Sequence, residues 1–255
     1  MTAGYGDRQI LKDLSVDIPH GSLTMIIGPN GCGKSTLLST FARILKPRSG
    51  AVSLNGADLS SFGGKALAQQ LSLLPQSTIT PPGIQVSELV ARGRYPYQRL
   101  LHQWSEDDER AVVEAMAATR TTSLAGQYVD ELSGGQRQRV WLAMLLAQQT
   151  DVMLLDEPTS FLDISHQYEL LELLKTLRES GKTQVAIVHD LNQAARYATH
   201  LVVMKDGVVV RTGAPDQVVT EEMVREVFEL ESLVVPDPVT GTPSVVPLDP
   251  RASSA

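Results

Sequence analysis

Residues 28–35 read Gly28-Pro29-Asn30-Gly31-Cys32-Gly33-Lys34-Ser35, followed by Thr36. The spacing is that of a phosphate-binding P-loop, GxxxxGK[ST]. Glycines let the backbone curl until several N–H groups point into one anion-sized hollow. The helix that must follow adds a favourable dipole for phosphate. Lys34 is placed to meet the β- and γ-phosphates of a nucleotide, and the Ser35 hydroxyl suits Mg²⁺. Cys32 lies at this helix N-terminus, an environment that favours a thiolate. Its small size alone accounts for its place in the loop.

A second chemical feature is Val152-Met153-Leu154-Leu155-Asp156-Glu157. Four apolar residues predict an inner parallel strand buried on both faces. Two carboxylates then stand at its C-terminal end, where open α/β sheets bind ligands. Asp156 suits the Mg²⁺ shell through water, because this hard cation keeps several waters in its coordination sphere. Glu157 is placed to polarise the water that attacks a γ-phosphate.

The surrounding elements must be an alternation of short apolar strands and helices, an α/β pattern. Strands are expected at 23–27, 51–54, 71–74, 152–155, 184–188 and 201–204. A helix is expected from Lys34 to about Leu45, stopped by Pro47. The stretch 77–85, with Pro81-Pro82-Gly83, reads as a loop. The pattern from Val86 to Leu124 is helical, with Ser105 and Asp108 forming a capping box for a helix through Ala118. Another helix is expected over 134–148. Asp206-Gly207 predicts a hairpin turn into 208–211, and Thr220 caps a short acidic helix through Glu229. Two valine-rich pieces around 237–243 predict a hairpin, and 251–255 a loose tail.

Composition bounds the rest. The 255 residues are 42% hydrophobic and 20% charged, an ordinary globular balance. A net charge of -7 and 5% aromatic residues speak against a nucleic-acid partner. One cysteine excludes an internal disulfide. No apolar run is long enough to span a bilayer and no secretory signal is evident, so any membrane role needs a separate spanning subunit.

Leu132-Ser133-Gly134-Gly135-Gln136 narrows the reading. It matches the signature of ABC-type ATPases and lies between the P-loop and the Asp-Glu pair, as in that family. The chain resembles the family over nearly its whole length. The resemblance implies a P-loop NTPase core of α/β class, with a helical subdomain insert and an antiparallel β-subdomain. One ABC ATPase domain is expected over 1–233, with its core at 1–76 and 134–233 and the helical subdomain near 77–133. A hairpin and tail follow at 234–255. The resemblance also implies that Gln76 is the Q-loop glutamine, touching Mg²⁺, and that His189 is the switch histidine at the γ-phosphate. Ser160-Phe161-Leu162-Asp163 is similar to the D-loop, and Tyr5 to the aromatic that stacks on adenine. Ser133, Gly134, Gly135, Gln136 and Asp163 are implied to meet ATP held by a second copy. One departure stands out: only four residues precede Tyr5, where members have a strand.

Narrower features are similar to ATPase subunits of bacterial ferric-siderophore importers of the ferric-enterobactin type. They include Ala91-Arg92-Gly93-Arg94-Tyr95-Pro96, Phe161-Leu162-Asp163-Ile164-Ser165-His166-Gln167, His189-Asp190-Leu191-Asn192-Gln193-Ala194 and Asp237-Pro238-Val239-Thr240-Gly241-Thr242-Pro243. Heme and vitamin B12 importers share part of this set. The implied assembly is a homodimer of ATPase subunits on two transmembrane permease subunits, served by a siderophore-binding protein. It would sit at the cytoplasmic face of the inner membrane and use ATP and Mg²⁺. An exporter ATPase, a ribosome- or DNA-directed ABC protein and a small-molecule P-loop kinase fit these segments less well.

Overall fold

A computed structural model describes residues 1–98 and 104–249. The chain opens with an antiparallel hairpin of β1 (Ala3–Tyr5) and β2 (Arg8–Leu11). Thus a three-residue strand ends at Tyr5, where the sequence leaves little room for one. Strand β3 (Leu23–Ile27) leads into helix α1 (Lys34–Phe41). That helix ends before Leu45, because Arg43 turns into the left-handed region at φ 58° well ahead of Pro47. A minimal hairpin, β4 (Ser53–Leu54) and β5 (Ala57–Asp58), occupies the place of the expected strand at 51–54. Helix α2 (Gly64–Ala68) and strand β6 (Leu71–Leu74) follow.

Helices α3 (Val86–Ala91), α4 (Glu106–Ala118) and α5 (Gly134–Ala147) come next. Both arms of the Ser105/Asp108 capping box are made at the start of α4. Residues 92–97 form a tight 3₁₀ run. The remaining core elements are β7 (Val152–Asp156), α6 (Ile164–Glu179), β8 (Thr183–Ile187), α7 (Leu191–Tyr197), β9 (His200–Lys205) and β10 (Val208–Gly213). Helices α8 (Pro215–Val218) and α9 (Glu221–Phe228) precede the hairpin of β11 (Ser232–Pro236) and β12 (Pro243–Pro247). The expected tail at 251–255 lies outside the described residues.

The main sheet has the order β10-β9-β3-β8-β7-β6, parallel except for the β9–β10 hairpin. Its strands feed apolar layers on both faces. Leu23, Met25 and Ile27 of β3 join one layer with Met153, Leu155, Ala186, Leu201 and Val203. Ile26 joins the other with Leu154, Val185, Ile187, Val202 and Met204, against Leu37 and Leu38 of α1. Burial on both faces makes the inner strands mainly apolar, with Thr24 and Gln184 as buried polar residues among them. A third apolar layer lies away from the sheet, between Leu89 and Val90 of α3, Val112 and Met116 of α4, and Val140 and Ala143 of α5. Helix α5 also sends Leu142 and Leu145 into the first layer. It therefore couples the helical region to the sheet.

A buried ion pair secures the helical region. Arg94 Nε lies 2.8 Å from Asp108 Oδ1, with side chains only 5% and 7% exposed. Arg94 Nη1 also donates to the Ala147 carbonyl and to Gln149 Oε1, each at 2.9 Å. Its neighbour Gly93 lies so close to α5 that a Cβ there would stand 2.2 Å from the Met144 carbonyl.

Candidate nucleotide-binding site

Four neighbouring strand ends supply the site. The P-loop follows β3, Asp156 ends β7, His189 stands just past β8 and Gln76 just past β6. Pairing in register brings these ends level: Ile26 opposite Ile187, Ile187 opposite Asp156, and Leu155 opposite Leu74.

The P-loop is a curl built on glycine. Gly28, Gly31 and Gly33 adopt φ values of 150°, 76° and 106°. A Cβ at Gly28 would stand 2.1 Å from the Met204 carbonyl, so the loop lies hard against β9. Behind it, the Gly207 amide donates to the Cys32 carbonyl at 3.0 Å. Gly207 in turn accepts from the Lys12 amide at 3.0 Å, linking the loop to the N-terminal hairpin. Lys34 is 6% exposed, and its Nζ donates to the carbonyls of Gly28 and Pro29 at 2.7 and 2.9 Å. The ammonium is thus held inside the curl rather than swung out to solvent. Cys32 is buried, and burial pushes its thiol up despite the charge of Lys34. The shift runs against the thiolate that a helix N-terminus favours, because burial outweighs the Lys34 charge and the backbone hydrogen bonds.

Ser35 Oγ donates to Asp156 Oδ1 at 3.1 Å. Burial pushes the Asp156 carboxyl up, against the Ser35 bond and the charge of Lys34, and the adjoining Glu157 adds to the rise. A hydroxyl and a carboxylate side by side form a hard-oxygen pair. That fits Mg²⁺, which takes one or two protein oxygens and completes its shell with water and substrate phosphates. A cation here would also relieve the burial of Asp156.

Glu157 has a φ of 53°, in the left-handed region that a residue with Cβ seldom adopts. Its Oε1 lies 2.6 Å from His189 Nε2, and Oε2 accepts from Ser160 Oγ at 3.1 Å. Burial pushes the Glu157 carboxyl up, but its bonds from His189, Ser160 and Gln76 outweigh that and bring it below the ordinary carboxylate range. A carboxylate kept ionised at the rim of a phosphate loop is suited to orient and polarise water. The sequence marks Ser160 only as part of Ser160-Phe161-Leu162-Asp163, and its position three residues beyond Glu157 is the signal for this contact.

Tyr5 ends β1 and is 55% exposed. Its hairpin packs on the P-loop, since a Cβ at Gly33 would meet Leu11 and Ile10 of β2 at 3.0 and 3.2 Å. Residues 133–136 lie elsewhere on the surface. Ser133 and Gln136 form a reciprocal capping box at the start of α5. Gly134 and Gly135 face Phe161 and Leu162, at 3.8 and 3.4 Å from an added Cβ. Asp163 caps α6 through the His166 amide at 3.0 Å. Among the described residues, no hydrogen bond joins 133–136 to the P-loop. The structure thus gathers Lys34, Ser35, Asp156, Glu157, His189 and Gln76 into one site, and gathers the signature and Asp163 into a second surface.

A phosphate loop on an inner parallel strand, with an acidic pair two strands away, defines a P-loop nucleoside triphosphatase. The family model described as ABC transporter matches residues 11–160. The chain belongs to that family, as an ATP-binding and ATP-hydrolysing subunit. It is 53% identical over 255 residues to the ferric enterobactin transport ATP-binding protein of Escherichia coli (strain K12), covering 100% of this chain and 94% of that protein. It is 51% identical over 248 residues to the achromobactin transport ATP-binding protein of Dickeya dadantii (strain 3937), covering 97% and 92%. Among solved structures, an inward-facing ABC transporter of metal-chelate type aligns with a TM-score of 0.81 at 27% identity, covering 95% of this chain and 92% of that one. A dimeric bacterial ABC transporter cassette aligns with a TM-score of 0.74 at 28% identity, covering 84% and 94%.

Proposed function

We propose that this chain powers uptake of ferric siderophores through a separate membrane permease. The observation that carries the substrate class is full-length likeness to siderophore transport ATPases, at 53% and 51% identity. An iron(3+)-hydroxamate import ATP-binding protein of Bacillus subtilis (strain 168) is also 43% identical, over 96% of this chain and 92% of that protein. No helix among the described residues is long and apolar enough to cross a membrane. In this reading two separate permease subunits supply the membrane spans, and the chain sits peripherally on the cytoplasmic face. A siderophore-binding protein enters only on the far side.

In this mechanism residues 28–36 cradle the phosphates of ATP and Lys34 meets the β- and γ-phosphates. Tyr5 stacks on the adenine. Ser35, Asp156 and Gln76 would hold Mg²⁺, which would supply positive charge against the phosphates. Glu157 orients the attacking water and accepts its proton, with His189 beside it at the γ-phosphate. The isolated signature surface supports a head-to-tail homodimer. Ser133, Gly134, Gly135, Gln136 and Asp163 of one copy then complete the ATP site of the other. ATP holds the dimer closed only to the extent that it binds the closed state more tightly. The division into a core at 1–76 and 134–233, a helical subdomain near 77–133 and a C-terminal piece at 234–255 belongs to the same proposal.

The test is capture of partners from detergent-solubilised membranes with a tagged Glu157→Gln chain and ATP. Recovery of a polytopic permease encoded with a ferric-siderophore binding protein is expected. Recovery of ribosomal or DNA-repair proteins without a permease would overturn the transport reading.

A further inference from the structure

The two side chains that grip Glu157 come from different parts of the fold. Ser160 lies in the segment between β7 and α6, and His189 lies between β8 and α7. Their joint grip on one carboxylate requires those two segments to be held in fixed relation. Three side-chain amides lie where they can do this.

Gln193 stands in the first turn of α7 and is 6% exposed. Its backbone amide donates to Asp190 Oδ1 at 2.9 Å, the cap that directly follows His189. Its side-chain Nε2 donates to Gln167 Oε1 at 2.8 Å. Gln167, on α6, donates from its own Nε2 to the Leu162 carbonyl at 3.0 Å. The two amides thus run in one direction, from the His189 turn to the residue two places beyond Ser160. At the other end of the same segment, Gln138 of α5 donates to the Pro158 carbonyl at 3.3 Å. Helix α7 is itself steadied from outside. Asn192 accepts from the Val245 amide at 2.7 Å and donates to the Val245 carbonyl at 3.3 Å.

We infer that Gln167 and Gln193 are positioning residues for ATP hydrolysis, a paired-amide relay that keeps His189 and Ser160 on opposite oxygens of Glu157. The inference rests on the reading of Glu157 as the residue that orients water. The relay makes no bond to residues 28–36, so it acts on turnover and leaves nucleotide capture alone. It is directional: Gln167 must accept from one neighbour and donate to the next. A carboxylate in its place accepts and no longer donates.

The experiment is steady-state hydrolysis and equilibrium ATP binding by the purified full chain and four variants: Gln167→Met, Gln167→Glu, Gln193→Met and the double Met variant. Thermal unfolding is followed alongside. Misplacing reacting groups by about 1 Å costs on the order of 100-fold, and a loosened support costs less, so kcat is expected to fall about tenfold in each single variant. ATP affinity should stay within about twofold, and the double variant should be no slower than the slower single, as for a shared relay. Gln167→Glu serves because it keeps shape and polarity at a partly exposed site. Its kcat should fall with that of Gln167→Met. Near-native kcat in Gln167→Glu, a parallel loss of ATP affinity, or additive losses in the double variant would each overturn the relay. Glu157→Gln is measured in the same series. If it turns over normally, the reading of Glu157 fails. If it is inactive while the glutamine variants are fully active, the relay alone fails.

Discussion

Glu157 carries the sharpest predictions at the scale of single residues. Replacing it by glutamine keeps the shape and removes the proposed base, so hydrolysis should drop about 100-fold or more. ATP binding should persist, because no bond of Glu157 reaches the P-loop; equilibrium titration with a fluorescent ATP analogue checks this. The pH dependence follows from the same carboxylate. Its proton affinity is lowered by His189, Ser160 and Gln76 against the effect of burial. In the proposed mechanism hydrolysis needs the ionised form, so activity should be lost as pH falls through this lowered value. Removing the imidazole by His189→Ala lets the carboxyl rise. The acid limb of residual activity should then move to higher pH. A limb that stays in place would show that His189 does not tune Glu157.

The ion pair between Arg94 and Asp108 governs stability at the scale of elements. It joins the 92–97 turn, α4 and the end of α5. Burial pushes Asp108 up, but bonds from Arg94 and Ser105 outweigh this and its proton affinity ends below the ordinary carboxylate value. Its contribution is therefore full above the unfolded value and is lost as pH falls through the folded one. Arg94→Met leaves a buried carboxylate unpaired, and should cost about 3–5 kcal/mol in denaturant titration at neutral pH. The gap to wild type should narrow in acid. At the start of α5, Ser133→Ala removes one arm of a capping box and should cost about 1 kcal/mol.

Elements with strong local signals were legible. Strands β3 and β6 agree with expectation to the residue, and the caps at Ser105 and Thr220 sit where their side chains predict. The P-loop and acidic pair were legible because each is contiguous in sequence. Helix α6, at 16 residues the longest among the described residues, has no counterpart among the expected elements. Its start lies inside the segment similar to the D-loop, although Asp163 is an ordinary N-cap there. Pro47 predicts a later end for helix α1 than the structure shows, because a left-handed Arg43 ends it first. The grip of Ser160 and His189 on one carboxylate depends on pairing between strands far apart in the chain. No local pattern carries that.

The whole molecule presents two incomplete surfaces, a phosphate loop and a signature turn, which the proposed dimer would join. Glu157→Gln with ATP should raise the mass measured by light scattering from one chain to two, while the wild type returns to one as ATP is consumed. Ser133→Arg should abolish hydrolysis and leave ATP binding to the single chain intact. Loss of binding in that variant would mean that the signature acts within its own chain.

The left-handed backbone of Glu157 has a consequence for any attempt to evolve this molecule. At φ 53° asparagine or glycine sits more easily than glutamate. A library selected for heat resistance alone should therefore drift toward those residues at 157 and lose turnover. One selected for iron-limited growth should restore glutamate every time. The two regimes pull a single codon in opposite directions, and the winner reports which property the population was asked to keep.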